Sequence, residues 1–305
     1  VQPHLKQIEI KLSIETIYLT TVPTRIKMIE TTMTFIKHIP SYPLSQYIAH
    51  IIYANGPQPQ QYLMEMPDAR LNLVIELNDK TTNTLFAEAN LNDSRTMKHG
   101  WVSGANGKAI IYKNNTDSSI LSIRFTLGGF YALTKIPMSE IMHPGLEIEL
   151  ILGSSFNKLY QLLINEKDVD LKFRHIESYF QSYIIDNDFE TSIVKFIDTN
   201  VNMPIDWLVK KSGYSQKHLI TILKKQTGFS TKYIQRLERF QKVITHIQIS
   251  QKPIVWSSLA YQYGYFDQAH FIKEFIFFTG VSPVEHFHMK SIPGSNNIAP
   301  DIKLF

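Results

Sequence analysis

Gly264-Tyr-Phe-Asp-Gln-Ala-His-Phe-Ile-Lys-Glu-Phe275, closed by Thr279-Gly280-Val281-Ser282-Pro283, is one of two near-copies of a single pattern. The other copy is Gly213-Tyr-Ser-Gln-Lys-His-Leu-Ile-Thr-Ile-Leu223, closed by Thr227-Gly228-Phe229-Ser230. The opening glycines are 51 residues apart. His218 and His270, Leu219 and Phe271, Leu223 and Phe275, and Gly228 and Gly280 are 52 apart, so the second copy has one extra residue in its turn. A repeated pair of helices joined at a glycine predicts two helix-turn-helix units.

Each unit can be read residue by residue. In the first, Ile205, Leu208 and Val209 make the apolar face of a short supporting helix, and Gly213 permits the tight turn. Ser215 is the expected N-cap of the next helix. Leu219, Ile222 and Leu223 bury that helix, which leaves Gln216, Lys217, Ile220, Thr221 and Lys224 facing outward. In the second unit Val255, Leu259 and Ala260 are the expected supporting face and Asp267 the N-cap. Phe271 and Phe275 are the core residues, with Gln268, Ala269, His270, Ile272 and Lys273 outward. Tyr233 to Ile249 reads as one long helix that fixes the distance between the units. Pro204 and Pro283 stand where helices can begin. An exposed helix bearing Gln, Lys and Thr has the donors and acceptors that meet base edges and phosphates in a major groove. These ten outward residues are the candidate contacts to double-stranded DNA; Lys217 and Lys273 are also consistent with plain solvated charge, and His218 and His270 with a structural place at the helix edge.

The charge distribution points the same way. Residues 1–189 hold 17 Lys and Arg against 19 Asp and Glu, whereas residues 190–290 hold 13 against 7. The basic excess behind the net charge of +4 therefore sits in the C-terminal third, as a polyanion partner requires.

Further upstream the pattern changes. Residues 34–139 read mostly as short strands: Leu71-Asn-Leu-Val-Ile-Glu-Leu77, Ala109-Ile-Ile-Tyr112 and Ile120-Leu-Ser-Ile-Arg-Phe125, with turns at Asn78-Asp79 and Asn92-Asp93 and a break at Gly128-Gly129. This spacing suggests a small barrel or sandwich. From Glu147 to Ile185 the period is helical. Ile151, Phe156, Leu159, Leu162 and Leu163 fall on one face, Ile176, Tyr179, Phe180 and Tyr183 on another, with a break near residues 165–170. The expected fold is α+β: a loosely held extension over 1–32, a mostly-β barrel-like domain with trailing helices over 33–188, an all-α domain over 189–290 and a tail over 291–305.

At these residues the C-terminal segment resembles the AraC/XylS family of bacterial regulators. Leu259-Ala260, Gly264-Tyr265, Asp267 to Phe271, Phe275 and Thr279-Gly280-Val281-Ser282-Pro283 follow the family pattern, as do the first unit and Arg239-Phe240. The resemblance covers residues 192–287. It departs at Ile276-Phe277-Phe278, where the family has a basic residue after the last core Phe, at His286-Phe287 in place of Tyr-Arg, and at Thr231 in place of Pro. These departures bear on the phosphate contacts of the second unit and point to apolar packing against the N-terminal domain. Pro67-Asp68, Leu71 to Ile75 and Ile123-Arg124-Phe125 are similar to a sensor domain with a cupin-type barrel. The resemblance implies a sequence-specific regulator whose N-terminal domain takes a small-molecule effector or mediates homodimerisation, and which works with RNA polymerase in the bacterial cytoplasm, at the nucleoid. The helices at 151–185 are the expected self-association surface, their apolar stripes being equally suited to the chain's own barrel. Arg124 and Trp101 are the candidate effector contacts, although a strand arginine more commonly forms an ion pair and Trp101, Trp207 and Trp256 more commonly take core positions.

Other classes find little support. The chain has no cysteine, which removes thiol chemistry and cysteine-ligated zinc. No apolar run approaches the roughly 18 residues of a membrane span, and the first 30 residues lack a signal-type apolar block. His286-Phe-His288 has the spacing of a metal pair on a strand but no carboxylate at useful distance. Gly104-Ala-Asn-Gly107 is a turn without the Lys-Ser/Thr of a phosphate loop. No catalytic residue, metal or cofactor is expected. The alternatives are a barrel enzyme with a helical appendage, which needs a catalytic cluster in 34–140, and a helical protein-interaction module, which Ile276-Phe277-Phe278 favours.

Overall fold

The computed structural model describes residues 34–56, 62–80, 82–86, 94–113, 118–141, 146–184, 189–250, 253–288, 290–291 and 297–299. The expected extension over 1–32, the segment start at Met33, the Asn92-Asp93 turn and the linker at 186–188 lie outside these residues.

The N-terminal half is built from β1 (Thr34–His38), β2 (Ile48–Asn55), β3 (Tyr62–Glu65), β4 (Leu71–Glu76), β5 (Asn83–Phe86), β6 (Ser94–Met97), β7 (Gly100–Gly104), β8 (Ile110–Lys113) and β9 (Ser119–Phe125). One antiparallel sheet has the order β1-β2-β9-β4-β7, and β3-β8-β5-β6 run together in a second. Alternation along the strands gives the first sheet two unlike faces. Ile51, Ile123, Leu73 and Val102 lie side by side across it and are almost fully buried. They look toward α1 (Gly129–Thr134), α2 (Ile148–Leu152), α3 (Ser154–Asn165) and α4 (Val169–Gln181): Phe125 on the same face packs edge-on against Phe130 and Phe180, at 5.3 and 5.4 Å. His50, Arg124, Asn72 and Ser103 form the neighbouring row on the opposite face, and Glu65 of the second sheet accepts from Asn72 and Ser103. The space between the sheets is therefore partly polar, while the space under the helices is apolar.

The helices at 148–181 differ from the periodicity reading in two ways. Gly153 ends α2 and restarts the helical phase, so there are three helices here, not two. Leu162, expected on the buried face of α3, is 53% exposed, and Tyr160 is buried instead. Asp168 caps α4 through the amides of Asp170 and Leu171, and the buried Lys172 amine closes the end of α3 by donating to the Leu163 and Glu166 carbonyls. Their apolar faces are taken up by the β domain: Phe156, Leu159, Phe173, Ile176 and Phe180 belong to its core.

The C-terminal half is helical: α5 (Phe189–Thr199), α6 (Ile205–Ser212), α7 (Gln216–Thr227), α8 (Thr231–Ile249), α9 (Trp256–Gln262), α10 (Gln268–Thr279) and α11 (Pro283–His288). It shares one continuous apolar core with the β domain. Val255 is not part of the supporting face of the second unit. It stands at the N-terminus of α9, 64% exposed, and Trp256 takes its place by stacking on Phe271 at 6.2 Å. Beyond α11, β10 (Lys290–Ser291) and β11 (Asn297–Ala299) return to the β domain, where β11 pairs antiparallel with β3. The stretch expected as a separate tail thus contributes a strand to the second sheet.

Candidate nucleic-acid interface

Both helix-turn-helix units form as their residues dictate. Gly213 and Gly264 sit at φ +75° and +72°, the left-handed region a side chain resists, and each turns the chain between two helices. Ser215 Oγ accepts the His218 amide at 3.3 Å, and Asp267 Oδ1 accepts the His270 amide at 2.6 Å, so each second helix starts on a side-chain cap at the same repeat position. Leu219, Ile222 and Leu223 are buried in the first unit, Phe271, Phe275 and Phe278 in the second. The long α8 braces the second unit. Arg236 forks onto the Glu274 carboxylate at 2.5 and 3.0 Å, and Arg239 donates to the Gly264 carbonyl at 2.9 Å while lying over the Tyr265 ring.

This packing leaves one face of each second helix in water. Gln216, Lys217, Thr221 and Lys224 are exposed on α7, with Ile220 half-buried beside them. Gln268, Ala269, His270 and Lys273 are exposed on α10, with Ile272 half-buried. Among the described residues, the side chains of Lys217, Lys224 and Lys273 form no ion pair. The two repeat histidines are occupied locally. His218 stacks on Tyr214 at 4.8 Å, and His270 meets the edge of Tyr265 while its Nδ1 accepts the Phe266 amide at 3.4 Å.

The next repeat positions face the β domain. Lys225 lies over Tyr131 at 5.2 Å, and its counterpart Phe277 lies under Lys108 at 5.5 Å. Gln226 is buried beside Gly128; its counterpart Phe278 is fully buried, and the Phe278 carbonyl accepts from the Ala109 amide at 2.7 Å. Within the departure at Ile276-Phe277-Phe278, Phe277 and Phe278 thus make contact with the N-terminal half, while Ile276 stays exposed. Gln226 makes no side-chain hydrogen bond to a described residue.

One feature of this junction leaves no mark on local periodicity. Arg70, between β3 and β4, pairs with Asp198 of α5 at 2.7 Å, with Glu238 of α8 and with Asp68 at 3.6 Å. Burial pulls its guanidinium down, and Asp68, Glu238 and Asp198 together outweigh that pull and hold it above its ordinary value. Asp68 is shared: its other oxygen pairs with Arg124, which also donates to Asn72 at 3.4 Å. Gln241 of α8 adds a bond to the Pro67 carbonyl at 2.6 Å, and the Tyr233 hydroxyl one to Gly107 at 2.9 Å.

Of the two candidate effector contacts, Arg124 therefore sits in an ion pair on the inner wall of the sheets, 18% exposed. Trp101 is on the same wall but sealed into a small apolar cluster with Leu85, Met97 and Ile110. Burial raises the Glu65 carboxyl nearby, and lowers His50 to about 4, with Lys37 and Arg124 adding to the effect. His286 is also lowered to about 4 by burial; it lies on a helix, not a strand, and among the described residues no group of three His, Asp or Glu side chains is arranged to hold a metal. Two histidines whose folded values lie below the ordinary 6.5 favour folding fully above about pH 6.5. That contribution is lost as pH falls through the window toward about 4, because the unfolded chain takes up protons first. The melting temperature should drop across that window and His286→Gln should flatten the drop; a flat profile for the unaltered protein would contradict the buried neutral rings.

Comparison with known proteins adds to this geometry. Residues 36–147 match the model of a domain of unknown function, DUF6597. The multiple antibiotic resistance protein MarA of Escherichia coli is 28% identical over 107 residues, 34% of this chain and 82% of that protein. MarA of Salmonella typhimurium is 30% identical over 94 residues, 30% of this chain and 72% of that protein. Among solved structures, ToxT of Vibrio cholerae aligns over 83% of this chain and 96% of its own at 13% identity and a TM-score of 0.40. Two capped helix-turn-helix units on one bracing helix, together with a relative at this identity over most of its length, establish that the chain belongs to the AraC/XylS family of DNA-binding transcription regulators.

Proposed function

We propose that the protein is a sequence-specific regulator that reads two successive major-groove segments with α7 and α10. Gln216, Lys217, Ile220, Thr221 and Lys224 are the contacts of the first helix, and Gln268, Ala269, His270, Ile272 and Lys273 those of the second. The observation that carries this reading is the 52-residue register of two exposed helix faces, each held open by a buried core and a side-chain cap. Lysines supply affinity by neutralising phosphates and releasing counterions; Gln, Thr and His supply sequence choice. Residues 189–290 act as the reading domain and residues 33–188 as a sensor. A small anionic effector suits the inner wall around Arg124 and His50, whose side chains are only half-buried. Self-association through the α3–α4 surface, where Leu162 is exposed, and contact with RNA polymerase complete the proposal, with the bacterial cytoplasm and its nucleoid as the place of action.

The test is binding of the full chain to duplex from its own upstream region and to scrambled duplex, across a salt series. We expect preference for the former and a logarithmic affinity that falls with log salt by about 0.9 per phosphate neutralised. Lys217→Ala and Lys273→Ala should each weaken binding and reduce that slope by about 1. Binding that ignores both sequence and salt would remove the assignment.

A further inference from the structure

We propose that the second reading helix recognises thymine by its methyl group, so that the two units read DNA by different chemistry. This inference rests on the reading of α10 as a major-groove helix. On α7, positions 217, 220, 221 and 224 form the exposed stripe as Lys, Ile, Thr and Lys. The equivalent positions of α10, 269, 272, 273 and 276, carry Ala, Ile, Lys and Ile. Two lysines have been replaced by alkyl side chains on a face that stays in water: Ala269 is exposed, Ile272 half-buried and Ile276 44% exposed.

These residues do not belong to the contact with the β domain, which begins one position later, at Phe277. Spaced at i, i+3 and i+7, they line up along the helix over about 10 Å, the length of about three base-pair steps. Alkyl groups offer no donor to a phosphate, N7 or O6. The one feature of the major groove they complement is the C5 methyl of thymine. Lys273 and Gln268, at the stripe and its N-terminal edge, supply the polar contacts that keep the helix in register on the backbone. The choice of DNA over a protein surface rests on the shared repeat: the same face, in the same register, is cationic on α7 and keeps Lys273 on α10.

The experiment replaces thymine by deoxyuridine, one position at a time, in the duplex the full chain selects from random sequence. This removes a methyl and leaves every hydrogen-bonding group in place. We expect one to three clustered positions at which the substitution lowers affinity about fourfold each, the equivalent of one methyl group returned to water. Ile276→Gln, a change at an exposed position that leaves the core intact, should erase the penalty at one of these positions, the one Ile276 faces, while the rest of the site behaves as before. Deoxyuridine substitutions without effect anywhere in the bound segment, or penalties that all persist unchanged in Ile276→Gln, overturn the proposal. The lysine variants separate the two levels. If Lys217→Ala and Lys273→Ala weaken binding while deoxyuridine is silent, the reading helices stand and the alkyl stripe serves a protein partner. If neither lysine matters, the assignment of α10 to the groove falls, and this inference with it.

Discussion

Phe271→Ala is expected to unfold the second helix-turn-helix unit. The ring is fully buried, stacked on Trp256 at 6.2 Å and edge-on to Tyr265 and Phe275 at 5.2 and 5.7 Å. Truncating such a ring removes its transfer free energy and leaves a cavity that three aromatic neighbours cannot collapse into, a loss of ~3–5 kcal/mol. Whole domains have about 5–15 kcal/mol to lose. Circular dichroism and Trp fluorescence during urea unfolding should show a large fall in midpoint, and DNA affinity should go with it. Lys273→Ala, two residues away on the opposite face, should leave the midpoint where it was. A Phe271→Ala protein with an unchanged midpoint would mean that the second unit is not packed around this ring.

The second large effect concerns the junction. Arg70→Gln removes the one cation that three carboxylates share: Asp68 is 6% exposed, Glu238 17% and Asp198 30%. Left facing one another they repel, and Asp68 retains Arg124 and the backbone amide of residue 70. Removing a partner from a buried ion pair costs up to ~3 kcal/mol or more, and water around Asp198 and Glu238 reduces that figure. We expect calorimetry of Arg70→Gln to show a lower melting temperature, partly recovered by added salt, which screens the residual repulsion. Glu238→Gln should be milder, since Arg70 keeps Asp68 and Asp198. If Glu238→Gln proves the more damaging of the two, the shared-cation account is wrong.

These two sites separate what the local sequence dictates from what only the fold supplies. The helix-turn-helix units were legible because their signals are local and repeated: a cap, a glycine and apolar residues three and four apart, stated twice. Spacing alone places Phe271 in the core. The alternating strands over Leu71–Glu76 and Ser119–Phe125 were legible for the same reason, as a period of two with β-branched residues. What escaped is long-range. Arg70 and Glu238 are separated by 168 positions, and neither has a periodic reason to attract notice. Leu162 lies off the buried face because Gly153 resets the helical phase, so a face drawn from Ile151 onward drifts off the core. The supporting face of α9 starts one position later than Val255, because Trp256 packs on Phe271. The pairing of Asn297–Ala299 with β3 is a property of the sheet edge that receives it, not of the three residues. The inner-wall row of His50, Arg124, Asn72 and Ser103 needs four strands in register before it exists at all.

The buried junction also limits how this chain can be recombined. A domain joined to its neighbour by a linker alone can be moved between proteins like a cassette. Here Glu238 and Asp198 need an arginine from the partner half, the Phe278 carbonyl needs the Ala109 amide, and Lys225 and Phe277 rest on Tyr131 and Lys108. A chimera that grafts residues 189–290 onto another N-terminal domain inherits two unmatched carboxylates and an exposed apolar edge, unless the loop carrying Arg70 and the turn around Gly107 travel with it. The unit of inheritance is accordingly larger than the unit that touches DNA.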